Sequence, residues 1–394
     1  MAVKVGSLNQ SLVVSARPYQ MCTRCVMDTT DPDIQFDEKG VCNHCRKYEA
    51  LARTIFVPEN ERQRKLDRLV QEIKIKGKGK EYDCVIGVSG GVDSTYVAYL
   101  VKKLGLRPLA VHMDNGWDSE LAVNNIEQFL AKLDIDLYTV VLDWEEFKDL
   151  QCAFLNASVS DAEIPTDHAI GGSLYQVADD RDVPYIIMGT NFATEGILPV
   201  RWTYGIDDWR YIKSVHERFG RGKLRSYPHY GFFHKLYYLV VKRIRTINIL
   251  DYVSYNKQEV MRVLQEGLGW QYYGGKHYES IYTRFFQGYI LPRKFNIDKR
   301  KAHLSALIMS GQVTREDALQ ELKRPPYTGY MQEADMEYVL KKLELTEEEF
   351  GRIMSLPVKT YEDYPTYLSL RKIITVSRVD QVARKLGAVP VDLT

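Results

Sequence analysis

Residues 85–95 carry the clearest chemical signature in the chain, because a Ser-Gly-Gly turn is followed there by an acid and two hydroxyl residues. A β-branched run precedes the turn and apolar residues at helical spacing follow it, so the turn joins a strand to a helix. Backbone N–H groups of the turn and the helix N-terminus then converge on one point, which suits an anion. The candidate anion ligands are Ser89, Gly90, Gly91, Asp93, Ser94 and Thr95.

This Ser-Gly-Gly loop (residues 89–95) lacks the Gly-Lys-Ser/Thr ending of a Walker A loop, which argues against a kinase-like phosphate site. Two adjacent glycines let the backbone approach a bound anion closely. The alternative is an ordinary Gly-Gly turn capped by serine. The order strand, turn, acid and helix favours the anion site.

Four of the six cysteines form two Cys-x-x-Cys pairs, Cys22 with Cys25 and Cys42 with Cys45, separated by sixteen residues. This spacing predicts a closed, structural zinc site in a zinc ribbon, because each pair presents two thiolates to one tetrahedral ion. A redox dithiol or an iron–sulfur cluster are the alternatives. His44 is surplus to a four-cysteine site and is predicted to be a surface histidine.

Length and composition set broad bounds. A chain of 394 residues predicts two or three domains. The net charge of +1 gives no reason to expect nucleic acid or a membrane surface as a partner. Charged residues interrupt the apolar runs, so no membrane-spanning segment is expected. The apolar run near the N-terminus is too short for a signal peptide. We therefore expect a cytoplasmic protein with reduced cysteines.

Strands and helices alternate from Tyr82 to about Glu195, which predicts a doubly wound parallel sheet of the α/β class. Expected strands cover residues 84–88, 109–113, 137–142 and 185–188, and expected helices cover 93–104, 119–133, 145–156 and 169–181. Ligands bind such sheets at the carboxyl ends of the strands. Besides the Ser-Gly-Gly loop, that edge receives Asp114, Asn115, Asp167, Gly189, Thr190 and Asn191. For Asp167 and Asn191, helix capping is an equally good interpretation.

After Gly196 the sequence pattern typical of strands becomes weak, and helices are expected over residues 207–219, 232–246 and 257–266. An aromatic, glycine-rich loop (residues 269–280) holds Tyr273, Lys276 and His277 and opens a helix to residue 291. A basic segment (residues 295–303) with Lys299 and Arg300 opens another. Aromatic rings beside cations suit a sugar nucleotide, although a packed core with a solvated face is the alternative.

The Ser-Gly-Gly loop resembles the pyrophosphate loop of the N-type ATP pyrophosphatases, the PP-loop superfamily of adenine nucleotide alpha hydrolase-like folds. Together with the cysteine pairs, Tyr-Gly-Gly-Lys-His-Tyr-Glu-Ser and Asp-Lys-Arg-Lys-Ala-His-Leu-Ser resemble the WbpG- and PseA-like N-acetyl sugar amidotransferases. The similarity spans about Met21 to Leu322. The expected domains are a zinc ribbon (1–57), a PP-loop domain (58–200) and a mostly helical substrate or partner domain (201–394).

The resemblance implies an ATP-dependent ligase that converts a sugar acetamido group to an acetamidino group in O-antigen or flagellin sugar biosynthesis. It implies ATP and Mg²⁺ at the Ser-Gly-Gly loop, with the metal near Asp93 and adenosine near Asp114 and Asn115. It also implies that Lys276, Lys299 or Arg300 stabilises the transition state, and that Asp167, Tyr273, His277 and Arg300 contact a free or nucleotide-linked N-acetyl sugar. A HisH-like glutaminase and a HisF-like barrel protein would supply ammonia, with no nucleic-acid or membrane partner.

Two alternative functions belong to other classes of protein. A tRNA-thiolating PP-loop enzyme also combines a zinc ribbon with this loop, but it needs sulfur-carrying cysteines, and only Cys84 and Cys152 lie outside the predicted zinc site. A non-catalytic nucleotide sensor would retain only a vestigial loop, against which the intact Asp93 and Ser94 argue. Neither of the two remaining cysteines has the sequence context of a glutaminase nucleophile.

Overall fold

The computed structural model describes residues 17–275, 277–327 and 329–368. Its centre is a five-stranded sheet in the order β3-β2-β1-β4-β5, in which all neighbouring strands are parallel. The predicted doubly wound α/β fold is therefore confirmed. The strands are β1 (Cys84–Gly87), β2 (Pro108–Asp114), β3 (Asp136–Val141), β4 (Tyr185–Met188) and β5 (Arg245–Asn248).

Helices cover both faces of the sheet, which explains why the central strands β1, β2 and β4 are almost continuously apolar and buried. The helices are α1 (Asn43–Ile55), α2 (Glu59–Lys76), α3 (Val92–Lys103), α4 (Glu120–Leu133), α5 (Trp144–Ala157), α6 (Ile164–Asp180), α7 (Phe192–Glu195), α8 (Trp209–Phe219), α9 (Phe232–Val240), α10 (Lys257–Leu268), α11 (Ile281–Phe285), α12 (Arg300–Met309), α13 (Arg315–Lys323), α14 (Gly329–Leu343) and α15 (Glu347–Ser355). Helices α3 and α6 contact the central strands, and α10 packs on α3 and α4. None of the helices in the described part of the chain is long and apolar enough to cross a membrane.

The prediction of one helix over residues 232–246 is wrong in its second half. Helix α9 ends at Val240, Arg243 takes a left-handed backbone conformation with φ of 56°, and β5 follows. Strand β5 has only four residues, and Ile247 alone is buried, so the local sequence gives little strand signal. Pairing with β4, about sixty residues earlier, creates the strand, and the sheet thus extends past the predicted boundary at residue 200.

The predicted helix from the aromatic loop to residue 291 also takes a different form. It begins as α11 and continues as a π-helical stretch over Phe286–Phe295, with Pro292 inside. Proline has no backbone N–H and its ring clashes with the preceding helical turn, so a wider turn accommodates it. One apolar core joins this stretch to the cysteine-rich N-terminal segment and to α5, α8 and α14.

Candidate functional site

A cavity of about 1510 Å³ lies at the carboxyl edge of the sheet. The Ser-Gly-Gly loop, the ends of β2 and β4, the first turn of α6, the aromatic loop and the start of α12 form its wall. Segments far apart in the sequence therefore meet where parallel sheets bind ligands. The cavity is large enough to hold two substrates of nucleotide size.

The geometry of the Ser-Gly-Gly loop depends on its glycines. Gly90 has a φ of +74°, and a Cβ added there would lie 2.5 Å from the carbonyl oxygen of Ala122, so only glycine fits. The amide of Ser89 donates to Oγ of Ser94 at 3.2 Å, which closes the loop across its base. No side chain caps α3 at Gly91, so N–H groups of its first turn are left for a ligand, and Gly91 to Ser94 line the cavity. This is a preformed anion cradle.

Residues of the aromatic loop and of the segment before α10 contact the Ser-Gly-Gly loop. Trp270 is 2% exposed, and its indole N–H donates to the carbonyl oxygen of Gly90 at 2.8 Å. The hydroxyl of Tyr255, just before α10, donates to the carboxylate of Asp93. The hydroxyl of Tyr273 lies 3.4 Å from the position that a Cβ on Gly91 would take. Sequence reasoning missed Trp270 and Tyr255, because nothing local links them to a loop more than 160 residues earlier.

A Trp270→Phe variant should weaken ATP binding several-fold and lower the melting temperature by a few degrees. The change leaves the buried carbonyl of Gly90 without its donor, a cost of about 1–3 kcal/mol. Titration calorimetry with ATP and thermal unfolding measure the two effects. Trp202→Phe is the matched control, because Trp202 is 1% exposed and its indole nitrogen has no partner among the described residues. Equal losses of ATP affinity in both variants would contradict the prediction.

Most of the predicted site residues line the cavity, and four do not. Gly90, Thr95, Asp114 and Asn191 lie outside its wall: Asp114 accepts from the amide of Gly116 at 2.7 Å, and Asn191 caps α7 by accepting from Thr194 at 2.9 Å. Lys276 lies outside the described residues. The predicted residues in the wall are Ser89, Gly91, Asp93, Ser94, Asn115, Asp167, Gly189, Thr190, Tyr273, His277, Lys299 and Arg300. Their contacts with substrate stay predictions.

Two cations of the basic segment, Lys299 and Arg300, were predicted to act on substrate, and both already have protein partners. Nζ of Lys299 lies 3.2 Å from Oε2 of Glu163. Burial lowers the pKa of Lys299, but the carboxylates of Glu163, Asp161 and Asp167 outweigh it and raise that pKa. The guanidinium of Arg300 holds Asp298 at 2.7 Å and donates to the carbonyl of Arg324 at 3.0 Å. Arg300 therefore braces the start of α12 as well as lining the cavity.

Asp167 is an unusual acid in this wall. Burial raises its pKa to about 8, and the neighbouring charges of Asp161 and Glu163 act in the same direction. A carboxyl group with such a pKa exchanges a proton near neutral pH, which is the range in which general acids and bases operate.

The four paired cysteines converge away from the cavity and are fully buried. Their sulfur atoms lie 3.7–3.9 Å apart in three of the pairs. A tetrahedral zinc ion with Zn–S bonds of about 2.3 Å needs sulfur separations of about 3.8 Å, so the cluster fits zinc. Backbone amides of Arg24 and Met27 donate to Cys22 and Cys25, as expected for sulfur that carries negative charge.

The zinc-ribbon segment is anchored to the C-terminal helices. Arg315 donates to the carbonyl oxygens of Cys22 and Cys25 at 2.9 and 3.1 Å, and Oγ of Ser305 accepts from the amide of Val26 at 3.2 Å. The prediction of a surface histidine at His44 is wrong: its side chain is 15% exposed and lies 2.6 Å from the carboxylate of buried Asp31. Asp31, thirteen residues before His44 in the sequence, supplies that partner.

Comparison with known proteins gives two family matches. Residues 62–198 match the family described as NAD synthase, and residues 279–377 match the LPS biosynthesis protein WbpG-like, C-terminal domain. The chain is 30% identical to the uncharacterized protein MJ1599 of Methanocaldococcus jannaschii over 133 residues, which cover 32% of this chain and 45% of that protein. It is 30% identical to the glutamine-hydrolyzing GMP synthase of Pyrobaculum aerophilum over 168 residues, which cover 40% of this chain and 30% of that enzyme.

The chain thus spans less than half the length of these curated relatives. Among solved structures, NMN synthetase from Francisella tularensis aligns with 77% of this chain and 99% of its own, at 15% identity and a TM-score of 0.32.

The five-stranded parallel sheet with its Ser-Gly-Gly loop, together with the match over residues 62–198, defines an N-type ATP pyrophosphatase fold. The C-terminal part of the chain is WbpG-like, since residues 279–377 match the domain of that name. The predicted resemblance is confirmed, and it includes both the aromatic-loop end and the basic segment.

Proposed function

We propose that this chain is an ATP-dependent amidotransferase that converts the acetamido group of an N-acetyl sugar, free or nucleotide-linked, to an acetamidino group. One observation carries the proposal: the aromatic loop and the basic segment, whose motifs resemble the N-acetyl sugar amidotransferases, line the same cavity as the Ser-Gly-Gly loop. A cradle suited to ATP phosphates and a polar, aromatic substrate wall thus share one cavity. By the same resemblance, we propose a cytoplasmic role in bacterial surface-polysaccharide or flagellin sugar biosynthesis.

The chemistry requires activation, because an amide carbonyl is a poor electrophile. Transfer of AMP from ATP to the amide oxygen makes AMP a leaving group, and ammonia then adds to the carbon. The Ser-Gly-Gly loop would hold the departing pyrophosphate on backbone N–H groups. Asp93 belongs to that loop, lines the cavity and is the residue that would hold Mg²⁺, which neutralises phosphate charge when bound. The reaction requires no covalent intermediate between the protein and its substrate.

The proposal is tested by incubating the chain with ATP, ammonium chloride and a panel of UDP- and CMP-linked N-acetyl sugars. Mass spectrometry should find one sugar in which NH has replaced O, together with equal amounts of AMP and pyrophosphate. ADP as the nucleotide product would contradict adenylation. A nucleotide sensor would give no AMP, and a tRNA-thiolating enzyme would release AMP only with tRNA.

The two cysteines outside the four-cysteine cluster disfavour the thiolation alternative. Cys84 in β1 is fully buried, and burial raises the pKa of its thiol. Burial raises the pKa of Cys152 to about 11. A sulfur carrier needs an accessible thiolate, and neither residue provides one at neutral pH.

The same absence of a reactive cysteine predicts that the isolated chain uses ammonium but not glutamine. Activity should appear with ammonium chloride at raised pH, where more free ammonia is present, and glutamine should become a substrate only when a HisH-like glutaminase and a HisF-like barrel protein are added. Amidine formation from ¹⁵N-amide-labelled glutamine, followed by mass, measures the transfer. Glutamine hydrolysis by the purified chain alone would refute this prediction.

A further inference from the structure

Helix α12 and the residue before it carry two sets of side chains on opposite faces. Lys299 and His303, four positions apart, line the cavity, and Nδ1 of His303 lies 3.1 Å from the carbonyl oxygen of Thr194 in the same wall. Lys301 and Ser305, also four positions apart, contact the zinc-ribbon segment instead. Two positions along a helix correspond to a rotation of about 200°, so α12 lies between the zinc-ribbon segment and the cavity.

The contact between α12 and the zinc-ribbon segment is centred on a buried carboxylate. Asp28 is fully buried, and its Oδ2 atom accepts from Nζ of Lys301, whose side chain is 15% exposed. The hydroxyl of Tyr19 donates to the same oxygen at 2.9 Å, and the amide and hydroxyl of Thr30 donate to Oδ1 at 3.1 and 2.5 Å. Asp28 is thus fixed by its own segment, and Lys301 is the cation that joins it to α12.

The backbone that carries Asp28 also carries the first cysteine pair. A β-bridge joins Asp28 to Met21, and the amide of Cys22 donates to the carbonyl oxygen of Met27 at 2.8 Å. A zinc ion held by Cys22 and Cys25 would therefore hold this backbone in place. Removing one partner of a buried ion pair is costly, because the other charge is left buried and unpaired, so the pair with Lys301 resists separation.

We propose that the zinc-ribbon segment positions the basic segment of the cavity wall, and that Asp28 and Lys301 are the positioning residues that connect them. Lys299 lies two residues before Lys301 and pairs with Glu163 of the wall at 3.2 Å, so a shift of α12 displaces a cation of the wall. Other residues hold the Ser-Gly-Gly loop, so ATP binding should not depend on this connection. This inference rests on the proposed function, in which the basic segment contacts the sugar.

The first test measures steady-state kinetics with the sugar that the wild-type chain amidinates. Lys301→Met should lower kcat/KM for the sugar at least ~10-fold, since a misplacement of about 1 Å in a positioned group can cost about 100-fold. The KM for ATP should change little. Lys301→Arg keeps the cation and should restore most of the loss. Asp28→Asn combined with Lys301→Met leaves neither charge unpaired, and it should still show the lowered kcat/KM for the sugar.

Two control variants separate positioning from a general loss of stability. Asp33 belongs to the same zinc-ribbon segment and pairs with Nε of Arg201 at 3.1 Å, but Arg201 lies outside the described wall of the cavity. Asp83 is 3% exposed and pairs with Arg107 at 2.7 Å, just before β1 and β2 begin, at the far edge of the sheet. Asp33→Asn and Asp83→Asn should both keep the wild-type kcat/KM for the sugar, even where the melting temperature falls.

Hydrogen–deuterium exchange gives a measurement that does not need turnover. Below their melting temperatures, Lys301→Met and zinc-free Cys25→Ser protein should exchange the amides of α12 faster than wild type does, whereas the amides of α3 should exchange as before. An unchanged kcat/KM for the sugar in folded Lys301→Met protein overturns the positioning role, while amidination by wild type still supports the proposed function. If wild type amidinates no sugar, the proposed function fails, and unchanged exchange in α12 would then overturn the connection as well.

Discussion

An Asp93→Asn variant is expected to keep its fold and lose at least ~100-fold in kcat, the scale of removing one preorganised electrostatic contact. Asp93 belongs to the Ser-Gly-Gly loop, lies in the first turn of α3 and lines the cavity. Asparagine preserves the shape and can still accept from Tyr255, so only the charge is lost. The structural cost is small, because one acid in the first turn of a helix contributes about 0.3–1 kcal/mol.

Release of AMP and pyrophosphate in single-turnover reactions measures this loss directly. Tyr255→Phe is the control that removes the hydroxyl donor to Asp93 and keeps the carboxylate. It should reduce kcat by less than the Asp93 change, because the charge remains in place. If Asp93→Asn retained near wild-type turnover, the carboxylate would have no role in holding the metal ion.

Loss of the zinc site should have the largest effect on stability. Cys25→Ser, or chelation of the metal, is expected to lower the melting temperature by ~10 °C or more, because binding free energy at a structural zinc site is folding free energy. Metal analysis of the wild-type chain should give close to one zinc ion per chain. The loss of stability should extend to α12 and α13, since Ser305 and Arg315 form hydrogen bonds with the backbone of the zinc-ribbon segment.

Cys152→Ser is the matched control for that experiment. Cys152 belongs to α5 and lies outside the cysteine cluster, and its thiol donates to the carbonyl of Leu343 at 3.9 Å. It should keep its zinc and nearly all of its stability. A zinc-free Cys25→Ser protein with unchanged melting temperature would show that the ribbon folds without metal.

The sequence predicted those parts of the fold that local pattern determines. Strand β4 has the expected limits, and each end of β1, β2 and β3 lies within one residue of its expected position. Apolar β-branched runs and glycine turns mark these strands in the sequence. The spacing of the two Cys-x-x-Cys pairs likewise predicted the four-cysteine cluster, because each pair is a local pattern. The Ser-Gly-Gly loop was recognisable because its glycines, acid and hydroxyls are consecutive.

What local pattern could not predict depends on pairing across the chain. Strand β5 exists through its ladder with β4. Trp270 reaches Gly90 across 180 positions, and a single sequence offers no sign of that hydrogen bond. Glu163, which lines the cavity and pairs with Lys299, was overlooked because an isolated acid before a helix is typical of an ordinary cap.

The ladder between β4 and β5 also limits how the protein can be divided for experiments. A fragment that ends at residue 200 would leave the outer side of β4 unpaired, and exposed strand edges promote aggregation. The same cut removes Arg245, which bonds Glu72 on α2 at 2.8 Å, and it removes both supports of the Ser-Gly-Gly loop, Tyr255 and Trp270. The smallest excisable nucleotide-binding unit therefore extends from α2 through Trp270.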